Sequence, residues 1–447
     1  MIELDVSREW EPAELRMPRG VARRFRWISA GLVLVALLAL AAASAPPTRL
    51  TPSFTVGGRG VQDAMGSGRI IFVLQQPNQG RAVLDAYRVR DGARLWSKSV
   101  AASSRLLSAD DDRVILFTTE DGRNVASLLL GIDARDGAVV WRQAGYAPVI
   151  TGLGPEFDLV IADVFTAGPE SQQEQQRRDR RLVGIDNHSG AVRWSIVTPA
   201  GTDHTYATLY RSGRLVGLNL VELDPDGTLR LRNLRSGQVD VAVKLANAVQ
   251  FDGFDVVGDR LMAYQSRTRT ASMYDLKTGQ LLWTLPAEAE NASISWCGSV
   301  LCQGVPRNVT VLDRDTGRAL WTAVGWNLVL PLDDRHLLTS GASGASGASG
   351  GNGFGRAGGV VVDAATGRVV RRLAAWNLLD TLPWPELLVW QAVGDRRPVV
   401  GRFNAETGAV TLLGQANDWT DNPQCWVTAT FLACRGPERL SVWRTMG

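Results

Sequence analysis

Two patterns of apolar and polar residues divide the chain. Near the N-terminus, Trp27 to Ala45 reads WISAGLVLVALLALAAASA, 19 residues with no charge and no polar face. A helix of that length spans roughly 28 Å, the thickness of a bilayer's hydrocarbon core. Pro46 and Pro47 end it. Beyond residue 50 the pattern changes to short apolar runs between polar turns, as in DDDRVILFTT, SGRLVGLNL, VGDRLMAYQS and LDDRHLLTS. These predict β-hairpins, and no amphipathic helix competes with them.

A strand–turn–strand unit recurs eight times in this second part. The clearest copies are GIDARDGAVVW, GIDNHSGAVRW, MYDLKTGQLLW and VLDRDTGRALW; AYRVRDGARLW, LRNLRSGQVDV, VVDAATGRVVR and RFNAETGAVTL are weaker. The turn glycines are Gly92, Gly137, Gly190, Gly237, Gly279, Gly317, Gly367 and Gly408, about 45 residues apart on average, the length of a four-stranded propeller blade. Each glycine supplies the φ > 0 that a tight hairpin with a bulge needs. Four residues earlier stands Asp133, Asp186, Asp275, Asp313 or Asp363, or Asn233 or Asn404, able to accept bonds from turn amides; the first copy has Arg88 instead. Four residues later stands Trp96, Trp141, Trp194, Trp283 or Trp321, with Val241, Arg371 and Leu412 in the other copies. Strand alternation gives these indoles one facing, and they are expected to wedge against the neighbouring blade.

Aspartate, glycine and tryptophan in this register resemble the repeat of the PQQ-dependent dehydrogenases and their non-catalytic relatives, over residues 56–447. The resemblance implies an all-β, eight-bladed PQQ-like β-propeller, with the count open by one. After Gly408 the chain still supplies two or three strands, and an early strand around Ser53 to Val56 would complete the last sheet and close the ring. The expected organisation is a cytoplasmic tail (1–26), a transmembrane signal-anchor helix (27–45), a linker (46–55) and the propeller (56–447). Two insertions interrupt the repeats. Glu170 to Arg181 is polar, and its Arg177, Arg178, Arg180 and Arg181 are read as a solvated loop with a weaker option of facing anionic lipid. Residues 340–359 contain GASGASGASGG, a flexible loop between the second and third strands of the seventh unit.

Charge and cysteine usage place the second part outside the cytosol. Arg19, Arg23, Arg24 and Arg26 crowd the N-terminal side of the apolar segment, so the positive-inside rule leaves the tail in the cytosol and the large domain extracytoplasmic, in a single-pass cell-membrane protein. Ala43-Ser44-Ala45 resembles a signal-peptidase site, but Pro46 follows it directly, and an uncleaved anchor is the preferred reading. Cys297 with Cys302 and Cys425 with Cys434 each flank a short hairpin and are disulfide candidates; zinc is disfavoured by their spacing and by the lack of a nearby histidine. A net charge of +3 does not suggest a nucleic-acid partner.

The search for chemistry leaves no catalytic set. The resemblance would bring adjacent cysteines stacked on PQQ and a calcium site beside a catalytic aspartate, but no two cysteines here are adjacent. No catalytic, cofactor-binding or metal-binding residue is assigned, and PQQ is not expected. Asp110-Asp111-Asp112 and the Glu222, Asp224, Asp226, Gly227 series read as turns rather than cation sites, and His188, His204 and His336 as scattered structural residues. The expected function is a non-catalytic protein-interaction scaffold, tethered to the lipid bilayer by residues 27–45 and bound to other envelope proteins. Relatives in the same family include the propeller subunit of the outer-membrane β-barrel assembly machinery, from which this chain departs in having an apolar helix and no lipid-bearing cysteine. A ligand- or glycan-binding sensory ectodomain is the alternative, and a PQQ-dependent oxidoreductase with an atypical site a remote one.

Overall fold

The computed structural model describes residues 52–444 apart from connecting segments, the longest of which are 149–158, 165–178 and 342–358. The expected cytoplasmic tail and transmembrane helix, the linker up to residue 51 and most of the Gly/Ser/Ala loop lie outside the described residues. Among the described residues no helix is long and apolar enough to cross a membrane.

Every described element is a strand, for a reason visible in the second strand of each unit. In Ile70–Asn78, four consecutive side chains from Ile71 to Leu74 are almost wholly buried. A strand sends alternate side chains to opposite faces, so such a run needs cover on both sides. Phe72 and Leu74 pack toward the next unit, with Leu106, Val114, Leu116 and Ile132, while Ile71 and Val73 pack toward the last unit, with Phe431, Leu440 and Val442. Each sheet is thus sandwiched between two others.

Each unit is an antiparallel sheet of four strands, A to D, in chain order. Eight units are continuous in sequence, at residues 61–101, 105–144, 146–198, 203–244, 253–286, 293–324, 326–372 and 377–415. A ninth holds Gln424–Val427, Phe431–Arg435 and Arg439–Arg444, and its D strand is Phe54–Gly57 from the other end of the chain, paired Phe54↔Val442 through Gly57↔Arg439. Nine hydrophobic clusters, each joining one blade to the next, run around the whole set and close the ring between blades 9 and 1.

The ring therefore has nine blades and not eight. The turn glycine marks a C–D connection, and the ninth blade has none, because its C and D strands come from opposite ends of the chain. The propeller also begins inside the span expected to be linker, at Phe54.

Turn chemistry recurs with little variation. All eight turn glycines lie in the left-handed region, from φ +68° at Gly317 to +75° at Gly408. Asp275 Oδ1 accepts from the amides of Lys277 and Thr278 and from the Thr278 hydroxyl, and Asp313 does the same with Asp315 and Thr316. In the first copy Asp91, not the residue at position 88, caps the turn, accepting from Ala93 N–H and from the Arg88 guanidinium.

These carboxylates make stability acid-sensitive. Burial pushes the Asp186 carboxyl up, but bonds from Ser189 and the Arg193 guanidinium outweigh it and hold the pKa down at about 2, from an ordinary 3.8. Asp313 and Asp363 are lowered chiefly by the hydroxyls of Thr316 and Thr366. A folded pKa below the unfolded value gives stability that is complete above the unfolded pKa and is lost as pH falls through the folded one. Loss of this stability is thus expected to begin as pH falls through the ordinary carboxylate range and to continue toward pH 2. Far-ultraviolet circular dichroism should show Asp186→Asn losing less stability than wild type over that interval.

Blades 4 and 5 are joined more closely than the rest. Their inner strands, Asp203–Arg211 and Gly253–Val257, pair in parallel at Ala207↔Val256 and Thr208↔Val257, merging two blades into one eight-stranded sheet. This is the seam at which Val241 replaces tryptophan, so inner-edge hydrogen bonds hold where the indole is missing.

Candidate functional site

The most regular polar construction is the contact between each D strand and the next blade's turn. Trp96 Nε1 donates to Ala134 O at 2.8 Å, Trp141 to Asn187 O at 2.8 Å, Trp194 to Leu234 O at 2.6 Å, Trp283 to Arg314 O at 2.9 Å and Trp321 to Ala364 O at 2.9 Å. In every case the acceptor lies three residues before the next blade's turn glycine. That glycine lies flat on the indole: a Cβ built at Gly190 would fall 2.5 Å from Trp141 Cγ, and one at Gly137 2.8 Å from Trp96 Cδ2. The turn glycines thus serve the seam as well as the turn.

Four seams lack the indole and substitute for it differently. Phe54 lies against Gly92, where a Cβ would come 2.3 Å from its own Cβ, so it stands in for tryptophan at the closure of the ring. Its ring stacks on Tyr87 with centroids 6.2 Å apart. Gly279 meets the backbone carbonyl of Lys244, and Gly408 meets the Arg371 side chain, whose guanidinium donates to Glu406 O. Leu412 faces outward and is exposed. In blade 8 the register slips beyond Gly401↔Leu412, two residues later than in the other blades, and Leu413 packs on the seam to blade 9 in its place.

Both cysteine pairs are disulfides of A–B hairpins. Cys297–Cys302 closes the inner hairpin of blade 6, and Cys425 stands directly opposite Cys434 in blade 9. The bridges therefore staple inner strands.

One seam departs from the apolar rule. On the faces that blades 3 and 4 turn toward each other, Leu159, Ile161, Leu182, Trp194 and Leu220 form a small apolar cluster. Two positions along the same strands, alternation brings Asp163, Arg180 and Glu222 to the same seam. Arg180 Nε donates to Asp163 Oδ2 at 2.7 Å. Glu222 is fully buried and takes a two-pronged bond from Arg232, at 3.2 Å to Oε1 and 2.9 Å to Oε2. Asp224 pairs with Arg230 at 2.5 Å and accepts from the Thr202 hydroxyl at 2.9 Å. His204 stands opposite Glu222 on the inner strand, and both its ring nitrogens are buried with no hydrogen-bond partner.

Two sequence readings change here. Glu222 is no turn residue but a buried strand residue; only Asp224 to Gly227 form the turn. Arg180 and Arg181 belong to the strand Arg180–Asp186, and Arg180 faces the seam rather than lipid. The signal that would have found the pair was the spacing Glu222 to Arg232, which spans one B–C hairpin. His188 sits in a turn and His336 opens the strand His336–Gly341, its Nδ1 2.9 Å from Asp333 Oδ2. Asp110 closes a hairpin turn by accepting from the amides of Asp112 and Arg113. Among the described residues no group of three histidine, cysteine, aspartate or glutamate side chains is placed to hold a metal ion.

Glu222→Gln removes the charge but keeps the shape, leaving the buried Arg232 with a weaker acceptor. It is expected to cost about 2 kcal/mol in urea unfolding, because bonds to charged groups contribute more than neutral ones.

The chain matches the family described as outer membrane protein assembly factor BamB over residues 41–222 and 225–375. No curated protein matches it. Among solved structures, BamB from Moraxella catarrhalis is 15% identical, covering 89% of this chain and 100% of its own, with a TM-score of 0.38. A eukaryotic initiation factor is 11% identical, covering 88% of this chain and 92% of its own, with a TM-score of 0.51. A quinohemoprotein alcohol dehydrogenase from Pseudomonas putida HK5 is 13% identical over 75% of this chain and 61% of its own, with a TM-score of 0.34.

Proposed function

Starting from a chain that belongs to the BamB family of outer membrane protein assembly factors, we propose that it is a membrane-anchored, non-catalytic scaffold that holds other envelope proteins outside the cytoplasm. Residues 27–45 form the anchor, the short tail stays in the cytosol, and the ring needs neither PQQ nor a metal. The observation that carries this reading is how the repeat residues are used. The turn aspartates bond their own turn amides, the turn glycines seat the neighbouring blade's D strand, and the five indoles donate to backbone carbonyls across seams. The motif is spent on architecture. What is left for function is the loop-bearing faces and outer strands, surfaces suited to protein partners.

In-cell cross-linking of the full-length chain, followed by mass spectrometry, tests the scaffold. An envelope protein captured reproducibly in near-equal amount is the expected result; no specific partner would sink it. Alkaline carbonate extraction tests the anchor separately, since an integral protein stays in the pellet and a peripheral or cleaved one is released.

A further inference from the structure

The polar seam between blades 3 and 4 has a use that scaffolding does not require. We propose that it is an acid-sensitive joint, held shut while the His204 ring is neutral and loosened when that ring takes up a proton. The inference stands apart from the identity of any partner.

His204 lies between blades, with both ring nitrogens buried and unpartnered. The charged groups on its side of the sheet come from every neighbouring strand: Glu222 opposite, Arg230 (paired with Asp224) and Arg232 on the next strand, and Asp163 and Arg180 from blade 3, while Asp203, next to it on its own strand, lies on the other face but within reach of the Arg180 charge. Glu222 is already committed to Arg232 through both oxygens, and Asp163 to Arg180 through Oδ2. Among these described carboxylates, Asp163 Oδ1 is left buried without a partner. A neutral imidazole leaves one N–H unsatisfied there. An imidazolium would add a second N–H to be satisfied and a further cation beside Arg180, Arg230 and Arg232. Separating the blades restores water to the ring, so the open seam binds the proton better.

The neighbours agree with this sign. Burial, then Arg180 and Arg232, hold the His204 pKa down at about 4, from 6.5. Opening is therefore least favoured above pH 6.5 and grows as pH falls toward 4, by roughly 20-fold between pH 7 and pH 5. Burial raises the Asp163 and Asp203 carboxyls, against the pull of Arg180. Their protonation acts in the opposite direction, relieving a desolvated charge in the closed seam. The joint is accordingly most responsive on the upper side of the window, where the histidine titrates and the carboxylates are still ionised.

Hydrogen exchange on the full-length protein in neutral nanodiscs tests the joint, with rates corrected for intrinsic pH dependence. Peptides covering 159–164, 180–186 and 219–223 are expected to lose protection by roughly 20-fold from pH 7 to pH 5, while the strand Arg260–Gln265 of blade 5 does not. His204→Leu should abolish the difference. An equal change in blade 5, or an undiminished one in His204→Leu, overturns the proposal. A measurement on the wild type alone is independent of how that variant folds. The chain has 3 histidines, so imidazole carbon resonances can be followed individually. One ring should stay neutral at pH 5, and three rings titrating near the ordinary value would refute the joint.

Discussion

Deleting residues 53–57 from the otherwise intact chain is expected to abolish cooperative unfolding and leave an aggregation-prone ring. The segment contributes the D strand of blade 9, four register pairs with Arg439–Arg444 and the aromatic that seats Gly92. Without it, Arg439–Arg444 becomes an unpaired edge. The cluster of Val56, Val61, Ile71, Val73, Phe431, Leu440 and Val442 that closes the ring loses a wall. The newly exposed strand is a template for pairing with another chain. The milder Phe54→Ala keeps the ladder and removes only the wedge, at an expected cost of about 3 kcal/mol, in the range for truncating a packed aromatic. Guanidinium unfolding followed by tryptophan fluorescence reads both. A specific rescue separates ring closure from general damage. Appending a second copy of residues 49–57 after Gly447, through an Asp-x-x-Thr-Gly turn, rebuilds the ninth blade from one continuous segment. It should restore the transition, and failure of both the deletion phenotype and the rescue would show that the ring does not depend on this strand.

Gly190→Ala is expected to destabilise the chain by about 2–5 kcal/mol, from two separable causes. The left-handed backbone, φ +72°, costs an L residue about 1–2 kcal/mol. The new methyl must also displace the Trp141 indole, whose Cγ it would meet at 2.5 Å, and overpacking of this kind costs about 1–3 kcal/mol. The indole cannot retreat: on its other side Gly131 already sits so close that a Cβ there would fall 2.1 Å from Nε1. Gly325→Ala is the control. Its φ is +85°, yet nothing lies within 4 Å of its Cβ position, so it carries the backbone cost alone. If urea midpoints for the two variants moved equally, the glycine would serve the turn only and the seam contact would be energetically idle.

How much was legible depends on whether a contact is local in sequence. The turns could be read because Asp275, Thr278 and Gly279 satisfy one another within five residues. The facing of the indoles could be read because strand alternation sets it. The A–B hairpin disulfides could be read because each pair flanks one turn. The polar seam was not legible in the same way. Glu222 and Asp224 looked like a turn series because their partners, Arg232 and Arg230, lie on the next strand, while Arg180 and Asp163 come from a different blade.

By itself, the sequence determined the repeat, the all-β character, the turn residues, the side on which each indole lies and which cysteines can meet. These follow from a two-residue strand period and from hydrogen bonds closed within a few residues. The number of blades, the replacement of tryptophan by Phe54 at the closure, the parallel pairing between blades 4 and 5 and the burial of His204 among arginines were decided only by tertiary structure. Each depends on residues brought together from separate blades, or from the two ends of the chain, and no local pattern records that. The ninth blade is the plainest case: its turn was never there to be counted, because ring closure joins Phe54–Gly57 to Arg439–Arg444 through hydrogen bonds instead of through the chain.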